Sequence, residues 1–145
     1  MSSTKENRRQ ARIQAAQQLY GCEMRGVLAL VPAEGAAAET PPDGELLPFA
    51  VDLLAAARSH LEEIDRLLTG ALQNWDLRRL GAVDRAVLRI AVAELLSRRD
   101  IPAAVTINEA IEIARSLAAE ESGRFANGVL DRVRQEIGRD PRSTD

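Results

Sequence analysis

The chain has 145 residues, of which 46% are hydrophobic, 3% are aromatic and 28% are charged, and its net charge is −3. A chain of this length is expected to form one domain that buries about 70% of its unfolded surface. The single cysteine excludes an intramolecular disulfide, and no apolar run approaches the ~20 residues that a membrane span requires. Because the N-terminus has no apolar signal segment, we expect a soluble, cytoplasmic protein without membrane contact.

The first predicted helix covers about residues 4–25, where five basic side chains stand against two glutamates. Its buried stripe is expected to contain Ile13, Ala16, Leu19, Tyr20 and Met24. Its first turns carry the cationic residues Lys5, Arg8, Arg9 and Arg12. The three arginines lie within little more than one turn and can therefore reach one patch. They could form only a solvated helix start, but cations there oppose the helix macrodipole by a few tenths of a kcal/mol each, which favours a binding role.

Residues 26–45 interrupt the helical pattern with three prolines, three glycines and an alanine run. We expect at most a short helix in this irregular segment. A further helix is predicted from about Leu46, with Pro48 in its first turn. Ser59 and Glu62 have the spacing of a capping box, which predicts a break before the next helix. Trp75 is expected to anchor the junction that follows.

The densest apolar pattern covers residues 79–131 and predicts three helices. The first, over residues 79–99, is expected to bury one face. The second is expected to begin at Thr106, which forms a capping box with Glu109. The third is expected to begin near Ser122 and to end at Gly138. With six to seven helices and no strand pattern, the predicted fold class is all-α.

The sequence contains no convincing set of catalytic residues. His60 and Cys22 are the only histidine and cysteine, whereas a zinc site needs about four such ligands. No glycine-rich phosphate loop is present. Acidic and basic residues at helical spacing, such as Glu94 with Arg98 and Glu120 with Arg124, are expected to be solvated pairs worth ~0.3 kcal/mol each. We therefore expect no enzymatic activity, no cofactor and no metal.

Binding remains as the predicted activity. Proteins without a catalytic site usually hold RNA through phosphate contacts and through stacking of unpaired bases. The N-terminal cations could supply the phosphate contacts. Arg124 and Phe125 open the last predicted helix, where backbone donors also favour an anion. On the residues alone, Phe125 is better explained as a core residue, and Tyr20 as a core aromatic with its hydroxyl at the surface.

Several motifs resemble the NusB family of bacterial transcription antitermination factors. They are residues 8–12 (RRQAR), 16–20 (AQQLY), 83–91 (VDRAVLRIA), 107–114 (INEAIEIA) and 125–131 (FANGVLD). The resemblance covers most of the chain except residues 26–45. It implies two small packed helical bundles within one domain, residues 1–75 and residues 79–138, followed by a tail over residues 139–145.

The resemblance also implies a function and partners. NusB proteins bind the boxA element of nascent ribosomal RNA transcripts through their arginine-rich N-terminus. They do so together with NusE, a ribosomal small-subunit protein, on the RNA polymerase elongation complex with other Nus factors. The leading hypothesis is therefore a non-enzymatic RNA-binding adaptor that suppresses termination.

Matched position by position, the resemblance and the cationic pattern give an expected nucleic-acid-binding set of Lys5, Arg8, Arg9, Arg12, Arg124 and Phe125. The expected partner-binding set is Tyr20, Asp84 and Glu121. Glu121 stands in place of a commoner aspartate, and two further positions depart from the family pattern. Gln10 stands where many relatives have another basic residue, and Arg78 stands where some relatives have an acidic one. These departures bear on RNA affinity and on the partner contact, respectively.

Two alternative hypotheses remain. NusB-like domains also occur as the RNA-binding part of ribosomal RNA cytosine methyltransferases, but such an enzyme needs a further α/β domain with a cofactor-binding glycine loop. The other alternative is a plain helical interaction protein, including a homodimer, whose N-terminal arginines bind acidic protein surfaces.

Overall fold

The computed structural model describes residues 4–28, 46–73 and 75–142, with side chains from residue 7 onward. Within these ranges the chain forms six α-helices, a 3-10 turn at Leu77–Arg79 and no strand. The helices are α1 (Thr4–Met24), α2 (Pro48–Ser59), α3 (Leu61–Ala71), α4 (Ala82–Ser97), α5 (Ala103–Leu117) and α6 (Glu120–Glu136). The all-α prediction is thus confirmed. Most of the expected irregular segment, residues 29–45, lies outside the described residues.

Helix α4 is the centre of the fold, because it packs against each of the other five helices. All ten residues from 86 to 95 are buried. The expectation that this helix buries only one face is therefore wrong, and it is enclosed instead. A helix in this position can carry charged residues only if they are paired, and its buried Arg89 and Glu94 are both ion-paired. The division of the domain into two bundles stays an interpretation.

The starts of α5 and α6 differ from the predicted ones. Helix α5 begins at Ala103, directly after Pro102, and the hydroxyl of Thr106 donates a hydrogen bond to Glu94 rather than capping the helix. Helix α6 begins at Glu120, so that Ser122 lies inside the helix and is buried. In both cases the side chain that the local pattern assigns to a cap has another role: Thr106 makes a tertiary hydrogen bond, and Ser122 is buried.

Trp75 is not the buried anchor that the sequence predicts, since it is 59% exposed. Leu77, two residues later, is buried in its place. The turn between α3 and Trp75 is tight, since the backbone N–H of Trp75 donates to the carbonyl of Leu72 at 2.6 Å. Within it, Gln73 has a φ of +21°. A non-glycine residue with a positive φ is strained. The turn directs the side chain of Trp75 outward.

The C-terminal segment is tied back to the junction between α4 and α5. The buried guanidinium of Arg139 donates hydrogen bonds to the carbonyls of Leu95 at 3.1 Å and Ile101 at 2.7 Å. The backbone N–H of Ala104 donates to the carbonyl of Pro141 at 2.9 Å. These contacts satisfy backbone groups that helix ends leave unpaired. None of the described helices is long and apolar enough to cross a membrane.

Candidate nucleic-acid interface

The first turns of α1 place the arginines of the predicted RNA site in different environments. Lys5 lies in this helix, but its side chain is outside the described part of the chain. Arg9 donates from Nε and Nη2 to the two carboxylate oxygens of Glu109 on α5, at 2.7 and 2.8 Å, while 44% of its side chain stays exposed. This hydrogen-bonded pair raises the pKa of Arg9 further above its ordinary value. Arg9 is therefore a fixed, partly accessible cation.

Arg12, by contrast, is buried beneath the surface. Its Nε and Nη2 each donate to an oxygen of Glu94 on α4 at 2.7 Å, and its Nη1 lies 3.7 Å from Oε1 of Glu109. Glu94 is itself 1% exposed and accepts a third hydrogen bond from Thr106 at 2.7 Å. The expected phosphate contact by Arg12 does not fit this position, because its guanidinium is enclosed in an internal ion pair.

Three guanidinium groups surround the ring of Phe49 on α2. The Cζ atoms of Arg8 and Arg12 lie 5.4 Å from the ring centroid, and that of Arg98 lies 5.0 Å from it. This is the range of cation–π attraction. Arg98 also donates two hydrogen bonds of 2.9 Å to Asp100 and does not pair with Glu94 as expected. The hydrogen bonds from Arg98 lower the pKa of Asp100 to about 2.

Arg8, Arg9 and Arg98 thus converge on one region, which we call the arginine cluster. Arg12 connects them, since it shares Phe49 with Arg8 and Arg98 and shares Glu109 with Arg9. The sequence did not indicate Arg98 as a member, because only the fold brings the end of α4 beside the start of α1. The cluster brings cations from α1 and from the end of α4 together around an aromatic ring and a buried ion pair.

Two of the predicted partner-binding residues, Tyr20 and Asp84, lie near an ion pair that joins α1 and α4. Tyr20 is 39% exposed rather than a core aromatic, and Met24, one turn later, is 53% exposed. Asp84 lies in the first turn of α4, where a negative charge also favours the helix. The two helices are joined here by Glu23 and Arg85, whose Oε1 and Nη2 atoms are 2.6 Å apart. Tyr20 and Asp84 therefore lie next to one ion-paired junction.

Glu23 is held between two arginines of α4. Besides Arg85, it accepts a hydrogen bond of 2.8 Å from Arg89, which also binds Asp65 on α3 at 2.9 Å. Burial alone would raise the pKa of Glu23, but the hydrogen bonds and charges of Arg85 and Arg89 outweigh it, so the pKa is lowered overall. The network links α1, α3 and α4 through charged groups.

We expect the Glu23→Gln variant to lose less free energy of unfolding between pH 7 and pH 3 than the wild-type protein does. Because the folded-state pKa of Glu23 is depressed, its ionised form stabilises the protein above the ordinary value of 4.5, and this contribution is lost as pH falls through the folded-state pKa. Urea unfolding at pH 7 and pH 3 measures the difference. The exposed Glu63→Gln variant is the control and should retain the wild-type pH dependence. Equal acid sensitivity of wild type and Glu23→Gln would argue against the network.

The last helix places its predicted residues beside a surface cleft of about 300 Å³. Arg124 is exposed and Phe125 is half-buried against the core. The expected pair of Glu120 with Arg124 is wrong, because Glu120 binds Arg115 at 2.9 Å instead. Both Arg124 and Phe125 line the cleft, together with Trp75. Glu121, the third predicted partner residue, is exposed in the first turn of α6.

The model of the NusB family matches residues 9–135. The chain belongs to the NusB family. The transcription antitermination protein NusB of Desulfitobacterium hafniense (strain DSM 10664 / DCB-2) is 43% identical over 136 residues, which cover 92% of this chain and 91% of that protein. This likeness spans nearly the whole length of both proteins.

Solved structures agree with this assignment. A crystal form of T. maritima NusB is 35% identical to this chain and has a TM-score of 0.75. The match covers 94% of each chain. A chain in the structure described as "Crystal Structure of a Plectonemic RNA Supercoil" is 29% identical with a TM-score of 0.73, over 90% of this chain and 96% of that one. The NusB assignment confirms the expected class, a non-enzymatic transcription antitermination factor.

Proposed function

We propose that this NusB protein binds single-stranded, boxA-type RNA through the arginine cluster, together with a NusE-type ribosomal small-subunit protein. It acts in the cytoplasm, on the RNA polymerase elongation complex with other Nus factors, mainly on ribosomal RNA operons. The observation that carries the proposal is that Arg8 and Arg98 meet over Phe49 while Arg12, over the same ring, shares Glu109 with Arg9. Further support comes from the likeness to the transcription antitermination protein of D. hafniense and to a chain in a structure of an RNA supercoil.

The arginine cluster keeps hydrogen-bond donors for phosphate groups. Arg9 uses Nε and Nη2 for Glu109, which leaves the Nη1 donors for a phosphate oxygen. A guanidinium that lies over an aromatic ring still has its donors in its own plane, so Arg8 can bind a phosphate while it contacts Phe49. Pairs between arginine and phosphate are charge-assisted and are about twice as strong as neutral hydrogen bonds.

Arg12 serves the site indirectly. Its two hydrogen bonds to Glu94 fix α1 against α4, and its proximity to Glu109 fixes α1 against α5. These contacts hold Arg8 and Arg9 at one place on the surface and limit the entropy that is lost when RNA binds. We therefore assign Arg12 as a positioning residue and Lys5, Arg8, Arg9 and Arg98 as the phosphate-binding cations.

The protein partner is assigned to the α1–α4 junction. Tyr20 and Met24 expose apolar surface there, and Asp84 adds a negative charge. An apolar contact with a charged rim is typical of a protein interface. Since the RNA surface and the protein surface are separate, a partner that also holds the RNA raises the effective concentration of each component for the other. Tight assembly then requires all three components.

Titration of a labelled boxA-type RNA at several salt concentrations tests the proposal. If these four cations contact phosphates of a single strand, they should contribute about −3 to the slope of the plot of log K against log salt. Affinity should exceed that for a scrambled RNA, and the purified ribosomal partner should increase the difference. A flat salt response would contradict the phosphate contacts. Equal binding of both RNAs with the partner present would contradict recognition of boxA-type sequence.

A further inference from the structure

The only tryptophan of the chain is displayed on the surface. Trp75 is 59% exposed, although its large apolar ring would favour burial. Leu77, only two residues away, is buried. The tight turn after α3 holds the tryptophan at the surface, with the backbone N–H of Trp75 bound to Leu72. An exposed aromatic ring offers a flat face to a ligand.

The cleft beside Trp75 combines aromatic and cationic side chains. Trp75 and Phe125 line it together with Arg124 and Arg132, and its volume is about 300 Å³. Arg132 is fixed at the cleft by a hydrogen bond of 3.0 Å to the carbonyl of Ala71, which occupies only one of its donors. Aromatic faces flanked by arginines are the arrangement that binds unpaired bases and their phosphates.

We propose that Trp75 stacks on one unpaired base of the bound RNA and that Arg132, with Arg124, holds the adjoining phosphates. This inference rests on the proposed RNA-binding function and adds Trp75 and Arg132 to it. It also assigns the cleft a specific ligand chemistry, a single-stranded nucleotide. A base in a duplex could not present its face to the ring, so the site selects single strands.

The charges around the cleft favour RNA as the ligand over a protein surface that has few acidic residues. Arg78 and Arg79 follow Trp75 directly and are exposed. The nearby Asp76 is engaged, since it accepts a hydrogen bond from the backbone of Arg78 and lies 3.5 Å from its guanidinium. The surroundings of the ring are thus mainly cationic, which complements a phosphate backbone.

Neighbouring side chains of α5 and α6 link the arginine cluster to the cleft. Glu112 contributes to the field at Arg9 and binds Arg115 at 3.1 Å. Arg115 and Arg124 line one neighbouring cleft, and Arg124 also lines the cleft of Trp75. A single strand that binds both Arg9 and Trp75 would run along these side chains, where Glu112 and Glu120 are each ion-paired with Arg115.

Tryptophan fluorescence tests the inference directly, because all tryptophan emission comes from Trp75. The probes are a single-stranded boxA-type RNA and an abasic strand of the same length, which keeps every phosphate but has no bases. The RNA should quench the emission, saturating together with the anisotropy of a labelled RNA. The abasic strand should bind with little quenching. Unchanged emission at saturating RNA would overturn the inference, and so would quenching caused only by the ribosomal partner.

Substitutions of Trp75 supply a second measurement. Trp75→Ala should weaken binding of labelled RNA about tenfold, within the range measured for loss of base stacking, whereas Trp75→Tyr should retain most of the affinity. Because the side chain is exposed, both variants should keep the wild-type circular dichroism and melting temperature. Val51→Ala, at an exposed apolar residue of α2, is the matched control and should bind as wild type.

The outcomes separate this inference from the proposed function. If a variant of the arginine cluster loses RNA binding but Trp75→Ala does not, the RNA site stands and the base-stacking site is wrong. If neither variant changes binding, both fail. Loss of affinity in Trp75→Ala without recovery in Trp75→Tyr would also count against stacking, since any aromatic face should serve.

Discussion

Replacing Arg12 with alanine is expected to lower the free energy of unfolding by about 3–5 kcal/mol. The change leaves the carboxylate of Glu94, which is 1% exposed, without its buried counter-ion and with only the hydrogen bond from Thr106. It also removes one of the three guanidinium groups over Phe49. For a chain of this length the melting temperature should fall by roughly 10 °C. Urea unfolding followed by circular dichroism measures the change.

Two further variants test the cause. Arg8→Ala removes a guanidinium from the same ring but no ion pair within the described side chains, so it should cost less than about 1 kcal/mol. The double variant Arg12→Met with Glu94→Leu replaces the ion pair with apolar side chains and should recover much of the loss, because desolvation of the two charges is also removed. Wild-type stability of Arg12→Ala, with a loss confined to RNA affinity, would instead make Arg12 a phosphate contact.

The burial of Arg12 could have been anticipated from the sequence in part. Arg12 precedes Ala15, Ala16 and Leu19 by three, four and seven residues, which is the spacing of one buried helix face. These three residues are buried in the structure. An arginine that is buried on such a stripe must be paired, whereas Arg9, three residues earlier, keeps 44% of its side chain exposed. The grouping of all N-terminal arginines into one surface patch overlooked this distinction.

The partner of Arg12 could not be found in the same way. Glu94 is 82 residues away in the chain, and its helical neighbour at four residues is Arg98. The local rule therefore favours a solvated pair that does not form. A single sequence shows contacts within a helix, but the contacts between helices depend on how they cross. The same limit hid Phe49 and Arg98 as members of the site.

The helices themselves were largely predictable because their apolar stripes repeat at helical spacing. The errors lie where polar side chains serve the tertiary structure. Thr106 matches a cap in the sequence but binds Glu94, and Trp75 matches an anchor but is displaced outward by the turn that buries Leu77. In both cases the side chain departs from its local pattern at or beside the proposed RNA surface.

The second large effect concerns RNA affinity rather than stability. Changing both Arg8 and Arg9 to glutamine is expected to weaken binding of boxA-type RNA about 100-fold at 0.1 M salt, because two charge-assisted contacts are lost. The slope of log K against log salt should become less negative by about 1.4. Glutamine at position 9 can still donate a hydrogen bond to Glu109, so that the change removes charge while keeping the contact with α5.

Three comparisons make this result decisive. The melting temperature of the double variant should fall by much less than that of Arg12→Ala, because Arg9 is 44% exposed whereas Arg12 is buried. Arg66→Gln, at an exposed arginine of α3, changes the net charge without touching the arginine cluster and should alter affinity by less than about twofold at this salt concentration. If Arg66→Gln lost as much affinity per charge as the double variant, binding would depend on the net charge alone. An unchanged salt slope in the double variant would place the phosphates elsewhere on the protein.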